Sequence, residues 1–378
     1  MSDLADLNLR RWPDLEADNL FAIDAADRLI LDEAAPFIAA DPAIVDGGIA
    51  VIGDSFGALT LGAISMYGAT GVRVHQDRLL GEKALDANAT GAKLSGFANL
   101  PLDASLLEGA RVVLLRLPRS LEALDEIAAT IALHAAPDVT VIAGGRIKHL
   151  TTAMNEVLKK HFARLDVSLA RQKARVLIAR EPVAASADSE AYPRREFHDD
   201  LNLWVVAHGG VFAGTKTDIG TRFLLGSIQK MKRDAADAID LGSGTGVLAS
   251  ALAVARPRLT VIATDESAAA VLSSTATAEA NGVADRVTVV RDTGLEQQPD
   301  ASADLIVLNP PFHVESTVFT GEALRMFEDA ARVLRPGGEL WTVFNSHLGY
   351  KASLNRIVGQ TRQVDRNPKF TVTVSLKR

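Results

Sequence analysis

The 378 residues exceed the usual size of one domain and predict two of comparable size, each with enough of the 48% hydrophobic composition to bury a core. There is no cysteine, which excludes disulfides, thiolate zinc sites and a cysteine nucleophile. The net charge of −7 argues against a general polyanion binder, but charge is uneven: residues 146–180 hold nine Lys/Arg against two acids, and 351–378 seven against one.

The first eleven residues mix charges without an apolar core, so no secretory leader is expected, and no later apolar run is long enough to span a bilayer. A cytoplasmic protein fits both observations and the lack of cysteine. Strand patterns are expected at 49–52, 72–74, 111–115, 139–143 and 174–178, with helical patterns at 78–88, 120–134 and 151–162. After the first strand, Gly53-Asp54-Ser55-Phe56-Gly57 forms a turn opening into a further helix. Alternation of the two predicts a mostly parallel, doubly wound α/β sheet. The polar, proline-punctuated residues around 181–200 mark a join, giving domains at 1–185 and 201–378 with a linker at 186–200.

The second half opens with a strand at 203–207, a glycine-rich turn at 209–214 and a helix over 218–232, with Asp218 at its cap. A short buried strand at 238–241 carries Asp240 into Leu241-Gly242-Ser243-Gly244-Thr245-Gly246. Glycines there let the backbone turn sharply and approach a ligand ahead of a helix at 247–255. The spacing is G-x-G-x-G, not the G-x-G-x-x-G of a dinucleotide fold, because Val stands at 247. The strand at 260–264 ends at Asp265-Glu266, where a carboxylate is placed either to hold two ribose hydroxyls or to cap the helix at 267–281. A third strand, 287–290, ends at Arg291-Asp292, where an acid can reach an adenine amino group.

The fourth strand, 304–308, delivers Asn309-Pro310-Pro311-Phe312 at its carboxyl end, where open α/β sheets bind ligands. An amine conjugated to a purine ring is a poor nucleophile because its lone pair is delocalised. The Asn309 side-chain oxygen and the Pro310 carbonyl can accept its two N–H groups and stabilise charge as it develops. Phe312 can stack on the ring, and the prolines fix the acceptors. His313 is read as a neighbour of this site and not as a base. A helix at 321–334, a turn at 335–338, a strand at 339–344 and a last strand at 369–374 complete the chain.

Laying the second half on the first places Gly242 on Gly53, Gly246 on Gly57 and Leu248 on Leu59; after a short gap, Asn281 falls on Asn88 and Pro311 on Pro118. The chain therefore contains an internal duplication. Asp240 becomes Val51, Gly244 becomes Ser55, Asp265 becomes Gln76 and Asn309 becomes Arg116, so the first copy is expected to keep the framework and lack the polar groups of a cofactor site.

Residues 210–212, 218–220, 240–247, 265–267, 309–313 and 336–340 resemble the class I S-adenosylmethionine-dependent methyltransferases, and more narrowly the guanine-N2 rRNA methyltransferases of the RsmC and RlmG kind. The stretches 9–13, 55–59, 117–121, 141–144, 345–348 and 367–370 place the likeness nearer the large-subunit branch, RlmG. The resemblance implies two tandem Rossmann-like methyltransferase domains, the N-terminal one degenerate and serving RNA docking. It implies S-adenosylmethionine as cofactor on Asp240, Gly242, Ser243, Gly244, Gly246, Asp265, Glu266 and Asp292, and no metal. Asn309, Pro310 and Phe312 would act on the amine, with Phe212 and Pro311 helping to hold the base. The implied partner is 23S rRNA or a pre-ribosomal particle. Alternatives are 16S rRNA, an adenine-N6 or protein-glutamine acceptor, and a non-enzymatic RNA-binding assembly protein.

Overall fold

The computed structural model describes residues 4–184, 191–311 and 317–378. The chain divides into two compact units, Met1–Glu190 and Ala191–Arg378.

Unit 1 is a seven-stranded sheet of β1 (Ile49–Ile52), β2 (Val72–His75), β3 (Phe97–Asn99), β4 (Val112–Arg116), β5 (Thr140–Arg146), β6 (Phe162–Val167) and β7 (Ala174–Pro182), ordered β3-β2-β1-β4-β5-β7-β6. The first five strands of that order are parallel, and β7 runs antiparallel between β5 and β6. Helices α1 (Ala25–Ala40), α2 (Ala58–Tyr67), α3 (Leu79–Ala92), α4 (Ala104–Leu107), α5 (Leu121–His134) and α6 (Thr152–His161) connect and cover it. Ile49 and Val51 enter one apolar cluster and Ala50 and Ile52 another, which is why β1 reads as a continuous apolar run.

Unit 2 begins with a two-stranded ribbon, β8 (Arg194–His198) and β9 (Leu203–Ala207), and the short α7 (Ile219–Leu225). Its sheet contains β10 (Asp237–Leu241), β11 (Thr260–Asp265), β12 (Val287–Arg291), β13 (Ala303–Leu308), β14 (Leu334–Asn345), β15 (Gly359–Arg366) and β16 (Phe370–Lys377). The order β12-β11-β10-β13-β14-β16-β15 repeats that of unit 1, with β16 again the antiparallel strand. Helices α8 (Val247–Ala255), α9 (Ala268–Ala280), α10 (Thr317–Val333) and α11 (Lys351–Ile357) accompany it. Ala238 and Val307 face one core, and Ile239, Leu241 and Leu308 the other.

Several elements differ from the sequence expectation. Helix α1 has no counterpart among the expected elements, although Asp24 and Asp27 form a reciprocal capping box at its start; Pro36 inside it interrupts the pattern. The helix expected over 218–232 stops at Leu225, capped by Gly226, and a single 3-10 turn at Ile228–Lys230 follows. Residues 194–198, expected within the join, are β8. The turn at 335–338 is an irregular start to β14, with Gly337 at φ 77° and a register shift against β13.

Candidate active site

The carboxyl ends of four adjacent strands, β12, β11, β10 and β13, bring together the residues singled out in the second half. Leu241 and Leu308 are register partners, so the glycine loop and Asn309 leave the sheet side by side. The Asp292 amide donates to the Asp265 carbonyl (3.0 Å), holding the next two strand ends together.

Asp240 is fully buried on the core face of β10. Its Oδ2 accepts from the Ala249 amide in the first turn of α8 (2.9 Å), and its Oδ1 has no partner. Burial, with the nearby Asp265 charge, pushes this carboxyl up to about 7. In the loop that follows, Gly242, Gly244 and Gly246 all have positive φ (71°, 55° and 71°). Their environments differ. A Cβ on Gly246 would lie 2.8 Å from the Ser274 Cα, so this glycine serves the close packing of α8 on α9, whereas a Cβ on Gly244 would meet open space. Gly246→Ala is therefore expected to cost about 2 kcal/mol or more, a Tm fall of roughly 4–8 °C, while Gly244→Ala costs only about 1 kcal/mol but weakens cofactor binding. Thermal unfolding with cofactor titration checks both; equal Tm values would contradict the packing role.

Four of the loop's amides are used internally. Gly242 and Ser243 donate to the Thr264 carbonyl (2.9 Å each), Gly244 to Asp265 Oδ2 (2.9 Å) and Gly246 to the Ser243 carbonyl (2.8 Å). A loop built this way presents no nest for phosphate, and with Asp240 and Asp265 beside it the field favours a cation. Ser243 Oγ lies 3.0 Å from Ser274 Oγ, which donates to the Gly244 carbonyl (3.0 Å), tying the loop to α9. Asp265 also accepts from the Ser267 amide through Oδ1 (3.0 Å), so it braces the loop and caps the turn into α9 at once. Glu266 follows it and accepts from Arg291 Nε at its carbonyl (3.3 Å). Asp292 is buried, its Oδ2 accepting from the Gln297 amide (2.9 Å).

Asn309 is held by groups that the sequence alone does not connect to it. Its Nδ2 donates to Asp218 Oδ2 (3.0 Å) and Thr221 Oγ1 (2.9 Å). The same Asp218 oxygen caps α7 by accepting from the Gly220 and Thr221 amides (2.8 and 3.2 Å). A carboxylate only accepts, so the amino end of Asn309 faces it and the carbonyl end is turned away. Asn309 Oδ1 is buried without a partner. A Cβ on Gly220 would sit 3.3 Å from that oxygen and 2.9 Å from Asp218 Oδ2, so the approach there is open only to glycine. Pro310 is buried and Pro311 half-buried. Phe312 and His313 lie outside the described residues. Phe212 is 67% exposed in the turn after β9. Among the described residues, no group of three or more His, Asp or Glu is arranged to hold a metal.

Unit 1 repeats this frame with different chemistry. Gln76 Oε1 accepts from the Ser55 amide (2.8 Å), the place of Asp265 on Gly244. Asp54, within the loop, accepts from the Leu59 and Thr60 amides (2.8 Å each), in place of Asp240 on Ala249. Arg116, in the place of Asn309, donates to Asp24 (2.7 Å) and Asp27 (2.8 Å) at the start of α1. The groups standing in those places, Gln76, Asp54 and Arg116, are taken up by bonds within unit 1.

A family model for the methyltransferase small domain matches residues 202–374, and one for the RLMG N-terminal domain matches 1–183. Ribosomal RNA large subunit methyltransferase G of Ectopseudomonas mendocina is 36% identical over 99% of this chain and 98% of its own, and that of Streptomyces coelicolor is 33% identical over 98% and 97%. The chain belongs to the ribosomal RNA large subunit methyltransferase G family. As a member of that family it is a methyltransferase with S-adenosylmethionine as cofactor. A solved T. thermophilus 16S rRNA N2 methyltransferase, RsmC, in complex with AdoMet and guanosine, superposes with a TM-score of 0.72 at 22% identity, covering 94% of this chain and 92% of its own; it attests the shared fold. The site residues fit that cofactor: Asp240 Oδ1 is an orphaned buried acceptor, and Gly244 is open on its outer side.

Proposed function

We propose that unit 2 transfers a methyl group to the exocyclic N2 amine of a guanine in 23S rRNA. The observation that carries this reading is the Asn309 amide, fixed by Asp218 and Thr221 so that a buried, unpaired oxygen is left to receive an N–H. The family places the acceptor on the large subunit, as the names of the relatives do for those proteins.

S-adenosylmethionine supplies an electrophilic methyl on a sulfonium. Asp240 Oδ1 is the acceptor for a cationic amine, and Asp265 and Glu266 serve the ribose hydroxyls beside Gly242, Ser243, Gly244 and Gly246, with Asp292 toward the adenine. Asn309 Oδ1 and the Pro310 carbonyl take the two guanine N–H groups, aim the nitrogen lone pair and stabilise the positive charge that grows on it. Phe312 and Phe212 stack against the base and Pro311 holds the turn. As the new N–C bond forms, the S–C electron pair stays on sulfur, and the extra proton leaves to water. The guanine must leave its stack to reach this site.

Labelled methyl transfer to protein-free 23S and 16S rRNA, followed by nucleoside analysis, tests the reading. N2-methylguanosine in 23S rRNA is the expected product. Product in 16S rRNA alone would move the reading to the small subunit, and no labelled RNA, with cofactor bound, would end it.

Unit 1 is proposed as a non-catalytic docking domain in a cytoplasmic enzyme. Of the nine basic residues in 146–180, Lys159, Lys160, Arg164, Arg171 and Arg180 are answered by carboxylates. Arg119, Lys148 and Arg146 instead act on His149, whose pKa is lowered by partial burial and then by these three charges. Such a cluster at a strand end suits phosphate. Arg146→Glu with Lys148→Glu should weaken rRNA binding and reduce its salt slope by about 1 for each phosphate no longer neutralised; an unchanged slope would leave them as solvated surface.

A further inference from the structure

The ribbon of β8 and β9 carries an aromatic and cationic face that the methyl-transfer site does not use. Phe197 is the register partner of Trp204, and their rings sit 5.1 Å apart, tilted by 58°. The Arg195 guanidinium lies 3.9 Å over the Trp204 ring. Phe197 is 39% exposed.

Two acidic residues of this hairpin, Glu196 and Asp200, are engaged elsewhere. Glu196 lies on the opposite face by strand alternation and accepts from Thr215 Oγ1 (2.7 Å), and Asp200 is paired with Arg222. The face holding Arg195, Phe197 and Trp204 is therefore cationic as well as aromatic.

The ribbon is also rigid and coupled to the site. The Trp204 backbone exchanges bonds with the Asn281 side chain (2.9 and 2.8 Å), and the Val206 amide donates to Thr277 Oγ1 (3.0 Å), fixing β9 on α9. His198 Nε2 donates to the Thr215 carbonyl (2.8 Å), and its Nδ1 accepts from Arg222 (2.8 Å), the residue after the Thr221 that holds Asn309. Between β9 and α7 runs the turn bearing the exposed Phe212.

We propose that Phe197, Trp204 and Arg195 form a stacking platform for an unpaired base of the RNA strand next to the methylated guanine. The proposal rests on the RNA-methyltransferase reading. Aromatic faces with a guanidinium bind single strands without reading sequence, as a segment leading to an extruded base requires. The platform receives what base flipping exposes, and β9 and α7 fix it relative to Asn309.

The test uses the full chain and oligo(rA), a strongly stacking single strand with no guanine to methylate. Binding should quench tryptophan emission through Trp204. Phe197→Leu, which keeps the apolar volume but not the ring, and Arg195→Gln should each weaken oligo(rA) binding roughly 5- to 30-fold, with S-adenosylmethionine affinity at the wild-type value. The same variants should raise KM for 23S rRNA by a similar factor. Unchanged oligo(rA) affinity and unchanged KM in both variants would overturn the platform. Wild-type chain that binds oligo(rA) but labels no RNA would instead overturn the methylation reading and leave the platform standing.

Discussion

Asn309→Ala is expected to lower kcat about 10²- to 10³-fold, the size of loss seen when one hydrogen-bonding group that stabilises transition-state charge is removed, with the Kd for S-adenosylmethionine within about twofold of wild type. The separation follows from the geometry. Asn309 belongs to β13 and α7, through Asp218 and Thr221, whereas the glycine loop is braced by Asp265 and α9. Asp218→Ala should reproduce much of the defect with Asn309 intact, because the amide then loses the acceptor-only neighbour that decides which end faces the substrate. It should also destabilise α7 by about 1 kcal/mol through the lost cap. Thr221→Val, which removes one of two acceptors, should fall between wild type and Asp218→Ala. Single-turnover methylation of 23S rRNA beside calorimetric cofactor titration separates the two effects. Near-normal turnover in Asn309→Ala would remove the proposed role.

The mostly parallel α/β sheet, the duplication and the strand ends bearing Asp240, Asp265, Asp292 and Asn309 were legible in the sequence, because parallel sheets bury both faces and leave polar residues only where a strand stops. What holds Asn309 was not. Asp218 and Thr221 are distant from it in the chain, and each has an ordinary local explanation in the cap of α7. The family-like Asp218-Ile219-Gly220 was visible, but only the fold brings it to the end of β13. Of the two readings of Asp265 the structure shows the cap, one oxygen accepting from Ser267, and adds a bond the sequence does not suggest, the other oxygen bracing Gly244; the ribose role belongs to the proposed function. Of the ribbon, β9 is legible at 203–207, but β8 is not, because it is short, largely exposed and sits in a polar stretch that reads as a join.

Arg116→Ala should destabilise unit 1 by about 3 kcal/mol, the lower end for breaking a buried ion pair because Arg116 and Asp24 keep some solvent contact. At roughly 2–4 °C per kcal/mol this is a Tm fall of about 6–12 °C. The penalty should depend on pH with a definite sign. Burial pushes Asp27 up to about 7 against the pull of Arg116, while for Asp24 burial is outweighed by Arg116 together with the Ala26 and Asp27 amides, so its pKa is lowered. An acid whose folded pKa is raised favours the protonated native state, so its contribution to stability declines as pH rises from its unfolded value near 4 through about 7. Without Arg116 the Asp24 amide alone is left to oppose burial, the folded pKa of Asp27 rises further, and the decline continues into alkaline pH. The Tm difference between wild type and Arg116→Ala should thus be larger at about pH 8 than at about pH 6, whereas cofactor affinity in unit 2 stays unchanged. Equal differences at the two pH values would mean that Asp27 does not carry the charge Arg116 answers. The degenerate copy would then owe its stability to packing, and Arg116 would not be what took over the place of Asn309.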